Sequence, residues 1–192
     1  YDRKQVDRLI DQIVDKAANL TGKMLIAMPG MRDPRFEHSV ILICAHSDDG
    51  AMGLVVNRAI PDLGFTDLLE QLDIGASDDL IDLPVRFGGP VEPGRGFVLH
   101  RVPRDIQIAD NQMRIGDDLA VSTTRDFLVD YAHGRGPQPA LLALGYAGWG
   151  PGQLDSEILD NGWLTADRGD ELIFGTDNGG KWRAALKSLG ID

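Results

Sequence analysis

Cysteine is nearly missing from this chain, with Cys44 alone among 192 residues. A single thiol forms no intramolecular disulfide and no cysteine-based zinc site. Its place inside "SVILICAH" marks it as a buried apolar side chain. Histidine is scarce as well: His38, His46, His100 and His133 stand apart, with no HxH or HExxH spacing. No metal site and no cofactor are therefore expected. Positive charge is in deficit, since 19 Lys and Arg face 30 Asp and Glu, for a net charge of −11 and a pI near 4.7. That balance opposes the phosphate backbone, and the scattered basic residues form no arm or basic helix, so direct specific DNA binding is not expected. No apolar run approaches the roughly 18 residues of a membrane span. The opening "YDRKQVDRLIDQIVDKAANLTGK" breaks its apolar positions with charges of both signs, unlike the centre of a secretory signal. The expected location is cytoplasmic, without membrane partners. The chain also lacks G-x-S-x-G, and with it the strained elbow that exposes a serine nucleophile. "SDDG" lacks the alternating acids and final glutamate of a calcium loop.

What is present describes one domain of mixed structure. Val6, Leu9, Ile10, Ile13, Val14 and Ala17 recur at helical spacing, predicting an amphipathic helix within residues 1–22. "MLIAMPG" reads as a short strand. "HSVILICAH" is β-branched and almost continuously apolar, as in a central strand covered on both faces. "AMGLVVNRAI" returns antiparallel to it. "FTDLLEQLDI" is a helix. "VRFGGPV" and "RGFVLHRV" read as strands joined by "EPG" in a hairpin, and "DNQMRIGDDLAVS" as two short extended pieces. "TTRDFLVDYAHG" is a helix in which Thr123 and Asp126 have capping-box spacing. The last third reads as a buried strand at "PALLALGYA", a helix at "PGQLDSEILDNG", a strand at "ELIFG" and a terminal helix at "KWRAALKSLG". Clustered strands with irregularly placed helices predict an α+β fold with a mixed, largely antiparallel sheet.

The glycine-rich "GYAGWGPGQLDSE" follows a strand and opens a helix, the setting of a phosphate loop. The helix starts Gln153-Leu154-Asp155 where a P-loop needs Gly-Lys-Ser/Thr, and Pro151 removes an amide from the cradle. Architecture explains these residues better: Pro151 at the first helical position, acids in the first turn, and glycines such as Gly150 adopting tight-turn angles. Cys44 and His46 share one strand face at i, i+2, but no third group orients them.

Three long segments carry a resemblance: "LIAMPGMRDPRFEHSVILICAHSDDGAMGLVVNRAI", "RFGGPVEPGRGFVLH" and "ALLALGYAGWGPGQLDSEILDNGWL". In this order they closely resemble the YqgE/AlgH family of bacterial proteins, from about Leu25 to the last helix. The resemblance implies a single domain over residues 23–192, built of coiled, branching β-sheets flanked by helices, with residues 1–22 outside it. It implies a protein of unestablished molecular activity, some of whose relatives carry the label transcriptional regulator. The matched segments place polar residues and glycines at strand ends, and these define a candidate rim: His46, Asn57, Arg58, Gly88, Gly89, His100, Arg101, Gly148, Gly150 and Gln153. One reading makes the rim a polar cleft for a protein or small-molecule ligand. The other has the same residues capping strands and satisfying one another. A binding or regulatory module is the first functional expectation. The alternatives are a transcriptional regulator acting indirectly through a protein partner and an enzyme using His46 or His100 as acid or base.

Overall fold

The computed structural model describes residues 19–105, 107 and 112–191. The helix expected between Val6 and Ala17 lies outside them. No helix among the described residues is long and apolar enough to cross a membrane.

The sheet begins with β1 (Met24–Ala27), β2 (Val40–Ser47) and β3 (Gly50–Val55), each antiparallel to the next. Alternate residues of β2 enter different cores. Val40, Leu42 and Cys44 face one side, while Ile41 and Ile43 face the other. This two-sided burial is why the segment reads as a nearly unbroken apolar run. β4 (Val85–Phe87), β5 (Val91–Arg101), β6 (Gln112–Ile115), β7 (Leu119–Ser122), β8 (Ala140–Trp149) and β9 (Trp163–Ala166) complete it. The order is β6-β7-β5-β8-β3-β2-β1-β9, with β4 attached to β8 off that path. Every pairing is antiparallel except β4 with β8. The fold is α+β, and the sheet branches at β8.

Along one edge of β8, Leu142–Leu144 pair with β4, and Ala147–Trp149 pair with β3. The hand-over between these partners depends on glycine. A Cβ at Gly88 would stand 2.3 Å from the Gly145 carbonyl oxygen, and one at Gly89 2.1 Å from the Tyr146 carbonyl carbon. Gly145 itself has φ +77°. The main chains are in direct contact here, so no side chain larger than hydrogen fits. Gly150, expected to be the demanding turn residue, has no left-handed φ, and an added Cβ would meet only the Gln153 side chain at 3.8 Å. The left-handed residue of that turn is Gly152, at φ +71°.

Helices α1 (Phe65–Gln71) and α2 (Arg125–Ala132) cover one face of β5 and β8 through Phe65, Leu69 and Tyr131. α3 (Gln153–Leu159) packs Leu154 with Trp149 and Trp163. On the opposite face, α4 (Asp170–Phe174) and α5 (Asn178–Ser188) bury Ile173, Ala185 and Leu186 against β1, β2, β5 and β8. Each fully buried large side chain contributes about 1.5–3 kcal/mol relative to exposure.

Four local expectations are corrected, and one strand had not been anticipated. "EPG" is not a hairpin turn: β5 runs through it with a register shift between Val91 and Gly96, and β4 lies parallel to β8. "ELIFG" is α4, with Asp170 and Glu171 at its dipole-favoured start. "WLTA", which drew no assignment, is edge strand β9 paired with β1. The cap of α2 is Thr124 in place of Thr123, and Gly152 caps α3, leaving Pro151 outside the helix.

Candidate functional site

Among the described residues, no helix covers one stretch of the sheet's α5-side face. There the ends of β2, β3, β5, β6, β7 and β8 line an open cavity of about 1050 Å³. That is at or slightly above the size of a typical small-molecule site, about 300–1,000 Å³. Met52, Val91, Phe97, Met113, Val121 and Tyr146 give it apolar walls. Met52, Phe97, Met113, Val121 and Tyr146 pack with the core that contains Leu42, Leu54 and Leu99, so the cavity is a continuation of that core. Phe97 and Tyr146 meet edge to face at 5.8 Å. Polar groups stand around this apolar surface: Arg95, Asp49, Thr21 and Thr123. The Arg95 guanidinium lies 5.2 Å from the Phe97 ring centroid and 3.5 Å from the Glu92 carboxylate.

Cys44 also borders the cavity, but burial pushes its thiol up to about 12. At neutral pH it is a thiol and a poor nucleophile. His46, at the end of β2, accepts the Leu20 N–H on Nδ1 at 2.9 Å. Its proton therefore sits on Nε2, which faces the Asp155 carboxylate at 3.3 Å. Both ring nitrogens are engaged by the protein.

The residues proposed for one rim occupy several places. His46 and Gly148 line the large cavity. Gln153 opens α3 and accepts the Gly150 N–H on Oε1 at 2.9 Å, closing the turn beside it. Gly148 and Gln153 also border a niche of about 290 Å³ that contains Phe36, Trp149 and Trp163. There both indole N–H groups point to Glu157, at 3.4 Å from Trp149 and 3.1 Å from Trp163. Gly88 and Gly89 belong to the sheet branch, where the Gly88 N–H donates to Leu144 and its carbonyl accepts from Val55.

Asn57 bridges the β1–β2 loop to β2, accepting from the Val40 N–H at 3.0 Å and donating to the His38 carbonyl at 2.8 Å. Arg58 donates to the carbonyls of Arg35 and Glu37. His100 is 2% exposed. It donates from Nδ1 to the Arg101 carbonyl and accepts on Nε2 from the Ser122 hydroxyl, both at 2.9 Å. Burial lowers its pKa, opposed by the bond to the Arg101 carbonyl. Arg101 binds Asp118 and Asp170, while Arg168 binds the other oxygen of Asp118. The Asp170 bond is the main cause of Arg101's raised pKa. No group of three or more His, Cys, Asp and Glu among the described residues is arranged to hold a metal ion.

Sequence reasoning missed the apolar walls of the large cavity. Met52 and Met113 read as ordinary alternating strand residues, and nothing in a strand's local pattern tells whether a helix covers it. The only available signal was the number of apolar strand positions compared with the few helices available to cover them.

Similarity to known proteins agrees with this architecture. The AlgH-like family, also designated DUF179, matches residues 24–192. A UPF0301 protein of Paracoccus denitrificans is 76% identical over 93% of this chain and 94% of its own length. A UPF0301 protein of Ruegeria pomeroyi is 55% identical over 91% of this chain and 94% of its own. The solution structure of the AlgH protein from Pseudomonas aeruginosa superimposes with a TM-score of 0.75 at 39% identity, covering 91% of this chain and 90% of that one. A crystal structure of a protein from Corynebacterium diphtheriae shares the fold at a TM-score of 0.68 and 22% identity, over 88% of this chain and 86% of that one. With the family match spanning nearly all the described residues, and relatives this similar along their whole length, the chain belongs to the AlgH-like family.

Proposed function

We propose that this protein is a cytoplasmic binding module that takes a small, largely apolar ligand into the cavity walled by Met52, Phe97, Met113 and Tyr146. The observation that carries the reading is the cavity itself: about 1050 Å³ of concave, mainly apolar space continuous with the core. Two flexible methionines in its wall suit a site that adapts to its occupant. The polar residues around it would fix a ligand's polar end, the usual division of labour in small-molecule sites.

Catalysis by the residues the sequence suggested is less well supported. Both nitrogens of His46 and of His100 already have protein partners, and Cys44 is held as a thiol. A regulatory output, if the module has one, would pass through a protein partner, since the net charge of −11 disfavours contact with DNA.

The test is purification from the native cell under mild conditions, followed by extraction and mass spectrometry of retained small molecules. The reading expects an apolar compound at near-equimolar ratio from the parent and its loss from Met113→Lys. Recovery of the same compound at the same ratio from both proteins would contradict it.

A further inference from the structure

On the α5-side face, away from the large cavity, two cations are buried without a carboxylate partner among the described residues. Arg86, in β4, is 7% exposed and Lys181, in α5, 4% exposed. Among the described residues, Arg86 has one acceptor, the Val85 carbonyl, 3.3 Å from one terminal nitrogen, and its Nε has no partner. Lys181 donates to the carbonyls of Val56 at 3.0 Å and Ile173 at 3.1 Å. Carbonyl oxygens satisfy hydrogen bonds but carry no countercharge. Burial lowers the pKa of both; the Arg86 charge lowers that of Lys181 further, while Glu171 and Asp177 offset this from beyond ion-pair distance. Burying two like charges is unfavourable unless something neutralises them.

Residues next in sequence to this pair line a polar cavity of about 460 Å³. Asn57 and Arg58 form one wall, and Asn178, Gly179, Trp182 and Arg183 from the first turns of α5 form the other. Arg86 bridges to Ala59, the residue after Arg58, and Lys181 lies in the same turn as Gly179 and Trp182. Helix geometry leaves the Gly179 amide, at the second helical position, without an intrahelical acceptor. The buried Asn178 Oδ1 also lacks a partner among the described residues, and as an acceptor it would take the P–OH of a monoprotonated phosphate. Glu37 is the acid among the lining residues, and Asp177 is committed to the Gly180 N–H at 3.1 Å. In a chain with net charge −11, Arg58 and Arg183 line one opening, with Arg86 and Lys181 buried on the elements that supply its walls.

We infer that this cavity binds a phosphate group, either inorganic phosphate or the phosphate of a small monoester, with Arg58, Arg183 and the first turn of α5 in contact and Arg86 and Lys181 supplying the field behind them. The site is independent of the apolar cavity and of the function proposed for it.

The experiment is a thermal-shift and calorimetric titration with sodium phosphate and separately with glycerol phosphate, each against sodium chloride at matched ionic strength. The parent should show a saturable rise in melting temperature with at least one phosphate compound, and which compound acts identifies the source. Arg183→Gln, at an exposed position, should weaken that binding at least tenfold. Arg86→Met should lose the response while melting no lower than the parent in anion-free buffer. If Arg86→Met fails to fold, Arg183→Gln and the phosphate-dependent amide shifts of Asn178 and Gly179 in the parent decide. No stabilisation beyond the chloride control, or an undiminished response in Arg183→Gln, would overturn the inference.

Discussion

Replacing Gly88 with alanine tests the sheet branch at one atom. The added Cβ would lie 2.3 Å from the Gly145 carbonyl oxygen and 2.9 Å from the Ala143 Cβ. Ordinary carbon contacts are about 3.5–4.0 Å, so main chain must move by about 1 Å where β4 leaves β8. Overpacking a core generally costs about 1–3 kcal/mol. The obstruction here is hydrogen-bonded backbone, which places Gly88→Ala near the upper end. Loss of glycine's freedom in the unfolded chain offsets about 0.4–1 kcal/mol. The net loss is about 2 kcal/mol, or about 4–8 °C in melting temperature for a chain of this size. Gly150→Ala is the control, because its Cβ would meet only the Gln153 side chain at 3.8 Å. It should melt within about 1 kcal/mol of the parent, on the stable side. Paired thermal and urea unfolding of both variants is the assay. Equal stability, or a Gly150→Ala variant less stable than Gly88→Ala, would refute the assignment of the branch as the glycine-dependent element.

Two further expectations concern pH. His100 is depressed from its ordinary value mainly by burial, so the unfolded chain binds its proton more readily and stability falls as pH drops below about 6.5. His100→Gln should lack that part of the acid sensitivity, as read from urea midpoints between pH 7 and 5, and identical pH profiles would contradict it. Lys181 is lowered to about 8, with burial the first cause and Arg86 the second. The unfolded lysine stays protonated to about 10.4, so the parent should gain stability relative to Lys181→Met as pH rises from about 8 toward 10 in phosphate-free buffer. A difference that stays flat across that window would contradict the buried charge.

The parts of the fold legible in the sequence were those where local pattern and tertiary role coincide. β2 reads as central because both its faces are buried, and α5 because its apolar residues recur at helical spacing. "ELIFG" was misread because five residues do not separate a helical period from a strand's, and the deciding contact, Ile173 against the core shared with Ala185, is distant in sequence. The parallel pairing of β4 with β8 joins residues separated by β5, β6, β7 and α2, so the adjacent "EPG" gave a misleading hairpin signal. For the site, motif reading drew attention to polar strand ends. His46 and Gly148 reach the large cavity, while Asn57, His100 and Arg101 are held in hydrogen bonds that tie loops and strands together. The cavity's defining property, an apolar sheet face over which the described residues place no helix, is a matter of coverage and leaves no mark in a local motif.

The most direct test of the binding account is titration with the fluorescent apolar anion anilinonaphthalene sulfonate, monitored by both emission and backbone amide shifts. The account predicts saturable binding at one site, with shifts concentrated at Met52, Phe97, Met113, Val121 and Tyr146, and at least tenfold weaker affinity in folded Met52→Lys and Met113→Lys. Shifts confined to other surfaces, or unchanged affinity in both variants, would contradict the assignment of this cavity as the ligand site.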